Sequence, residues 1–96
     1  MERRAIVRLL LSELAKPRWE KHFGPSSWEL RALLQQQGVR LASAELLDLL
    51  TEARAHGWVR YQPPPPGAPP ITLGNIRITP EGRAWLARNP VADPEP

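Results

Sequence analysis

Apolar residues recur along the first sixteen positions at the spacing of an amphipathic helix. One arc of this helix carries its large apolar residues at 3.6-residue spacing, and these are Ile6, Val7, Leu10, Leu11 and Leu14. Pro17 ends the run, because proline lacks the backbone N–H that a helix interior needs. The pattern predicts a first helix over residues 2–16, with Leu9 lying off its buried face.

Two further apolar stripes follow, each bounded by signals for helix ends. The second helix begins at Ser26, which is expected to form a capping box with Glu29, and it ends at Gly38. The third helix has Ser43 as its expected N-cap and closes at Gly57. The buried stripes are Leu30, Leu33 and Leu34 in the second helix and Leu46, Leu49, Leu50 and Ala53 in the third. Two helices joined by so short a turn indicate a helix-turn-helix.

Alternation of apolar and polar residues then predicts two short strands around a proline-rich segment. The strands cover residues 58–61 and 76–79, and Gly74-Asn75 favours a turn or a bulge before the second strand. Residues 63–70 cannot join a β-ladder, because their prolines have no N–H donor. We expect the two strands to pair antiparallel and residues 63–70 to form the tip of the hairpin.

A short closing helix is expected after the second strand. Thr79 is the expected N-cap of this helix. Pro80 has a φ fixed near the helical value, and the charge of Glu81 is favoured in the first turn by the helix dipole. The helix is expected to bury Trp85 and Leu86. The element order therefore predicts a mainly α fold with a small β-hairpin, an α+β class.

The length of 96 residues suits one domain, which we place at residues 1–89, with residues 90–96 as a flexible C-terminal tail.

The chain has no cysteine, and its histidines, His22 and His56, lie far apart without ligands at metal spacing, so we expect no metal site. No base stands beside a nucleophile and no glycine loop could hold a phosphate, so we expect neither an enzyme nor a cofactor. The apolar run of the first helix is too short for a membrane span, which predicts a cytoplasmic protein.

Two sequence blocks resemble a known family. The first is Ala55-His56-Gly57-Trp58-Val59, and the second runs through Ile76-Arg77-Ile78-Thr79-Pro80-Glu81-Gly82-Arg83-Ala84-Trp85-Leu86. Together with the helix order, they resemble the winged-helix regulators of bacteria, in the broad manner of the MarR-like and PadR-like groups. The resemblance implies a winged helix-turn-helix whose third helix enters the major groove and whose hairpin is a wing with a proline-rich tip. It further implies a homodimer that binds double-stranded DNA and regulates transcription.

The charge distribution bears on that function in two opposite ways. The net charge is +3, and residues 1–40 carry the surplus of cations. In the fold that the resemblance implies, the candidate DNA-binding residues are Arg31, Arg40, Ser43, Arg60 and Arg77. An acidic stripe on the third helix, formed by Glu45, Asp48 and Glu52, would instead repel phosphates. The alternative function is therefore a winged-helix protein-interaction module, whose acidic third helix binds a basic partner, although such a stripe is equally typical of a solvated helix face.

Two apolar residues lie off the buried stripes of their helices. Leu9 and Trp28 occupy positions that point away from the predicted core, which is typical of an interface with a protein partner. A wider core that covers both side chains is the alternative. If Leu9 is an interface residue, the first helix and the closing helix around Trp85 are expected to form the two-fold contact of the homodimer.

Overall fold

Four α-helices and one antiparallel two-stranded sheet make up the part of the chain that this computed structural model describes, residues 3–20, 24–62, 67 and 73–89. In chain order the elements are α1 (Arg3–Leu14), a 3-10 turn (Pro17–Trp19), α2 (Ser27–Gln36), α3 (Ser43–Ala55), β1 (Val59–Gln62), β2 (Gly74–Ile78) and α4 (Pro80–Arg88). The prediction of a mainly α fold with a small hairpin is confirmed. Apart from Gly67, the predicted tip at residues 63–70 lies outside the described residues, as does the predicted tail at residues 90–96.

The ends of α2 follow the local signals in the sequence. Ser26 Oγ accepts from the backbone N–H of Glu29, and Glu29 Oε1 accepts from the N–H of Ser26, both at 3.2 Å. The capping box is therefore confirmed. Gly38 follows the helix with a φ of 87°, a backbone conformation that glycine adopts without steric cost.

The start of α3 differs from the prediction that Ser43 is its N-cap. Ala42 occupies the cap position in extended conformation, and Ser43 is the first helical residue. Alanine has no side-chain acceptor for the backbone N–H groups at the start of the helix. The N–H of Ala42 itself is satisfied, because it donates to Glu45 Oε1 at 2.9 Å. The assignment of Ser43 as N-cap was wrong by one residue, because the side chain that acts at this end comes from the helix itself.

A single cluster of buried aliphatic side chains joins α1, α2, α3 and both strands, and the half-buried Trp85 and Leu86 of α4 pack against it. The buried members are Val7, Leu10, Leu11, Leu14, Leu30, Leu34, Val39, Leu46, Leu49, Leu50, Ala53, Val59, Leu73 and Ile76. Among the residues predicted for the core, Ile6 and Leu33 are only half-buried. The helix α1 contacts α2, α4 and β2, and α3 contacts α2 and β1, so α1 lies at the centre of the packing.

A buried carboxylate lies where α1 ends. The side chain of Glu13 is only 1% exposed, and its Oε1 accepts from Lys16 Nζ at 3.0 Å and from Gln37 Nε2 at 3.1 Å. A guanidinium nitrogen of Arg18 lies 3.4 Å from its other oxygen. A buried charge is costly unless it is paired, and these contacts supply the pairing. The network links the end of α1 to the end of α2.

The hairpin has the predicted antiparallel pairing with a local irregularity. Val59 pairs with Ile78 and Arg60 with Arg77, but the register then shifts so that Gln62 lies opposite Gly74. The shift leaves one extra residue on β2, and Asn75 there has a positive φ of 50°. Gly74-Asn75 is thus a bulge within the strand, one of the two outcomes that its sequence favours.

The segment between the 3-10 turn and α2 forms a third, strand-like edge beside β2. The N–H of Ile76 donates to the carbonyl of Pro25 at 3.0 Å, and the N–H of Ser27 donates to the carbonyl of Leu73 at 2.8 Å. Asn75 Oδ1 accepts from the N–H of Gly24 at 2.7 Å. The sequence analysis did not predict this contact, because proline and glycine there indicated a connector.

The closing helix α4 is tied to the end of α3 through Thr79. Thr79 Oγ1 accepts from the N–H of Gly82 at 3.0 Å, which confirms the predicted cap. The same hydroxyl donates to the carbonyl of Gly57, and the N–H of Thr79 donates to the carbonyl of Trp58 at 2.9 Å. The indole of Trp85 lies against that of Trp58 at an interplanar angle of 37°, with centroids 4.9 Å apart. Trp85 and Leu86 are nevertheless half-buried rather than buried as expected.

Candidate nucleic-acid interface

The exposed face of α3 consists mainly of short side chains. Opposite the buried stripe of this helix, at about 100° per residue, lie Ala44, Asp48, Thr51 and Ala55, and all four are exposed. Leu47 lies beside them and is half-buried. Such a face allows close approach of another molecule, because no long side chain covers it.

Two of the acidic residues, Glu45 and Glu52, lie to one side of this face, toward α1, and Asp48 lies on the face itself. Glu45 and Asp48 line a hollow of about 330 Å³ together with Arg3 and Ile6 of α1. Glu45 is used in the cap of α3, and Glu52 forms an ion pair with Arg3. Asp48 is exposed and forms no hydrogen bond or ion pair with another described residue. Two of the three acids therefore have partners within the chain, which the sequence pattern alone did not reveal.

Arginine side chains lie beside the first turn of α3. Arg31 of α2 is half-buried, and its Nε donates to the carbonyl of Leu41 at 2.8 Å, so it holds the turn between the two helices. Arg40 in this turn is exposed, and it lines a hollow of about 230 Å³ with Arg31, Gln35 and Leu41. The structure thus brings Arg31 and Arg40 together.

A second group of arginines lies at the other end of α3 and on the hairpin. Arg60 and Arg77 are opposite each other in the strand register and both are exposed, so they share one face of the hairpin. Like charges directly opposite on a sheet disfavour the pairing unless an anion lies between them. The guanidinium of Arg54, in the last turn of α3, lies 5.1 Å from the ring centroid of Tyr61.

The groove beside β1 joins Arg54 and Arg60. Its volume is about 600 Å³, and Tyr61 and Glu81 also line it. The sequence analysis did not single out Arg54 as a candidate. The signal available was its place as the basic residue of the last helical turn, a position that the helix dipole also explains.

The two apolar residues predicted at interfaces differ in exposure. Leu9 is half-buried and packs against the core cluster, so the wider core covers part of it. Trp28 is 64% exposed, the largest apolar side chain left open among the described residues. Its indole lines a narrow cleft together with Arg31 and Ser43. Ser43 is half-buried. The homodimer that was expected to form through Leu9 stays a prediction.

The ion pair on the acidic side gives a pH-dependent prediction. Arg3 donates a hydrogen bond to Glu52 that lowers the pKa of the Glu52 carboxyl below its usual value. Desolvation opposes this shift, and the positive charges of Arg3 and His56 add to the lowering of the pKa. Because the pKa is lowered in the folded state, the contact stabilises the fold above the unfolded-state pKa, and this contribution is lost as pH falls through the folded value. An NMR titration of the Glu52 side chain is expected to show the low pKa.

Neighbouring arginines provide the control for this titration. Arg3→Gln is expected to return the pKa of Glu52 toward that of an ordinary glutamate, whereas Arg4→Gln, the same change one residue along the helix, leaves it low. Identical titrations of Glu52 in the two variants would contradict the ion pair.

Within the described ranges, no three histidine, aspartate or glutamate side chains lie together as ligands for a metal ion. No helix in the described part of the chain has both the length and the apolar composition needed to cross a bilayer. Comparison with protein-family models, curated proteins and solved structures finds no match to this chain.

Proposed function

We propose that this chain is a winged-helix protein that binds duplex DNA, with α3 in the major groove, and that it acts in transcriptional control. The observation that carries the proposal is the placement of arginines at both ends of the exposed face of α3. Arg31 and Arg40 lie at the first turn of the helix, and Arg54, Arg60 and Arg77 lie at its last turn and on the hairpin.

The spacing of the two arginine groups suits the dimensions of B-DNA. Ser43 and Arg54 are the first residue and a last-turn residue of α3. At 1.5 Å per residue they are separated by roughly 16 Å along the helix axis. The major groove is about 12 Å wide. Arginines at both ends of α3 can therefore reach the phosphates on the two sides of a groove that the helix occupies.

The hairpin and its third edge support the winged-helix interpretation. The hairpin follows α3 directly, and the segment at Gly24–Ser27 hydrogen-bonds to the opposite side of β2. This attachment braces β2 against the start of α2. A braced hairpin can present Arg60 and Arg77 as a pair to a phosphate, because the strands hold both side chains on one face.

The acidic residues oppose this function less than their sequence positions suggest. Glu45 and Glu52 lie on the side of α3 toward α1 and contact the Ala42 N–H and Arg3. Asp48 is the one acid on the exposed face of α3, and a single carboxylate in a groove can accept from a cytosine amino group. The alternative function is a protein module that binds a basic partner through these three acids. It is less favoured, because two of the three carboxylates already have contacts within the chain.

Salt dependence of duplex binding tests the proposal. With the five arginines as phosphate contacts, counterion release predicts a slope of about −4.5 in log affinity against log salt concentration, at about −0.9 per contact. Affinity for a random-sequence duplex is then expected to fall about 500-fold between 50 and 200 mM salt. Fluorescence anisotropy of a labelled duplex measures both quantities.

A triple substitution of the acids separates the two functions. Glu45→Gln, Asp48→Gln and Glu52→Gln together are expected to strengthen duplex binding modestly, because repulsive charges leave the surface near the phosphates. Glutamine at residue 45 can still accept from the Ala42 N–H, so the cap is retained. If the wild type stays unbound at about 50 µM and low salt, where even non-specific binding is measurable, while the triple variant binds, the acids keep the fold off DNA and the proposal fails.

A further inference from the structure

Trp28 is a large apolar side chain that is exposed beside Arg31. Its indole is 64% exposed in the first turn of α2. The cleft beside it is lined by Arg31 and by Ser43 at the start of α3, and Arg31 shares the next hollow with Arg40. Trp28 therefore lies next to the arginine group at the first turn of α3.

The charges around the indole indicate which molecule it contacts. The carboxylate one residue along, Glu29, is turned to the Ser26 N–H in the capping box. Both α2 and α3 begin beside the cleft, and helix starts favour negative charge. An exposed indole beside an arginine and two helix starts suits a polyanion that also carries apolar faces. The backbone of DNA has that composition, because anionic phosphates alternate with deoxyribose rings.

We propose that Trp28 packs its indole on a deoxyribose of the DNA strand whose phosphates contact Arg40. This inference rests on the proposed function and assigns a contact within it. The indole contact carries no charge, so it adds affinity by removing apolar surface from water, whereas Arg40 adds affinity by releasing counterions. The two residues act on one strand through physically distinct effects.

These effects can be told apart in the same titration. Trp28→Ala is expected to lower duplex affinity about tenfold at every salt concentration, through the apolar area left uncovered. The salt slope is expected to stay unchanged. Trp28→Phe is expected to retain most of the affinity, because the ring still covers the sugar. The matched control, Arg40→Ala, is expected to make the slope less steep by about 0.9.

Fluorescence and thermal unfolding complete the test. Addition of unlabelled duplex is expected to change the tryptophan emission of the wild type, and this change is expected to be lost in Trp28→Phe. The unfolding temperature of Trp28→Ala is expected to match the wild type, because substitutions of exposed residues have small effects on stability.

Three outcomes would overturn the inference. In the first, the wild type binds duplex with the expected salt slope and the affinity of Trp28→Ala is within twofold of that of the wild type. Trp28 then lies outside the interface, and the proposed function is unaffected. A slope that changes in Trp28→Ala means that the indole positions arginines rather than contacting sugar. Wild type that does not bind duplex at low salt removes both the inference and the proposed function.

Discussion

Replacing Gly24 with alanine is expected to destabilise the fold by about 3 kcal/mol, at the upper end of the usual cost of overpacking. A Cβ on Gly24 would lie 2.0 Å from the carbonyl oxygen of Ile76 and 2.8 Å from its carbon. These are backbone atoms of β2, which cannot move aside as a flexible side chain can. The segment at Gly24–Ser27 would have to separate from β2, and the hydrogen bonds that Asn75 and Ile76 make to it would be lost.

The measurement is chemical denaturation followed by circular dichroism, with Gly74→Ala as the matched control. An added Cβ at Gly74 meets no heavy atom within 4 Å, and Gly74 is not among the glycines with positive φ. The control is therefore expected to unfold within about 0.5 kcal/mol of the wild type. Equal stabilities of the two variants would show that Gly24 does not lie against β2.

Replacing Arg40 and Arg60 together with alanine is expected to lower the affinity for duplex DNA about 60-fold at 0.1 M salt. The two residues belong to the groups at opposite ends of α3, and each would lose one phosphate contact. The salt slope is expected to become less steep by about 1.8. Both side chains are exposed, and neither forms an ion pair with a described residue, so the stability is expected to change little.

The control for this variant changes the same charge elsewhere on the surface. Arg83 and Arg88 are exposed on α4, and Arg83 pairs only with the exposed Glu20, at 3.6 Å, among the described residues. Arg83→Ala with Arg88→Ala removes two positive charges from the chain, as the first variant does. An equal loss of affinity in the two double variants would show that net charge, and not the ends of α3, determines binding.

Local signals in the sequence were enough to predict the helices and the pairing of the strands. The capping box of Ser26 with Glu29 and the cap at Thr79 involve residues three positions apart, and the positive φ of Gly38 is a property of one residue. The strands were predicted within two residues of their positions, because alternation of apolar residues depends only on neighbours in the chain. The α+β class follows from the order of these elements.

Contacts between distant residues were decided by the tertiary structure alone. Glu52 pairs with Arg3, 49 residues away, and Gly24 meets Asn75 across 51 residues. The charges of Glu45, Asp48 and Glu52 could be read from the sequence, but the pairing of Glu52 with Arg3 could not. Packing of α1 beside α3 determines which carboxylate meets an arginine, and that packing follows from burial of the whole apolar cluster rather than from any local pattern.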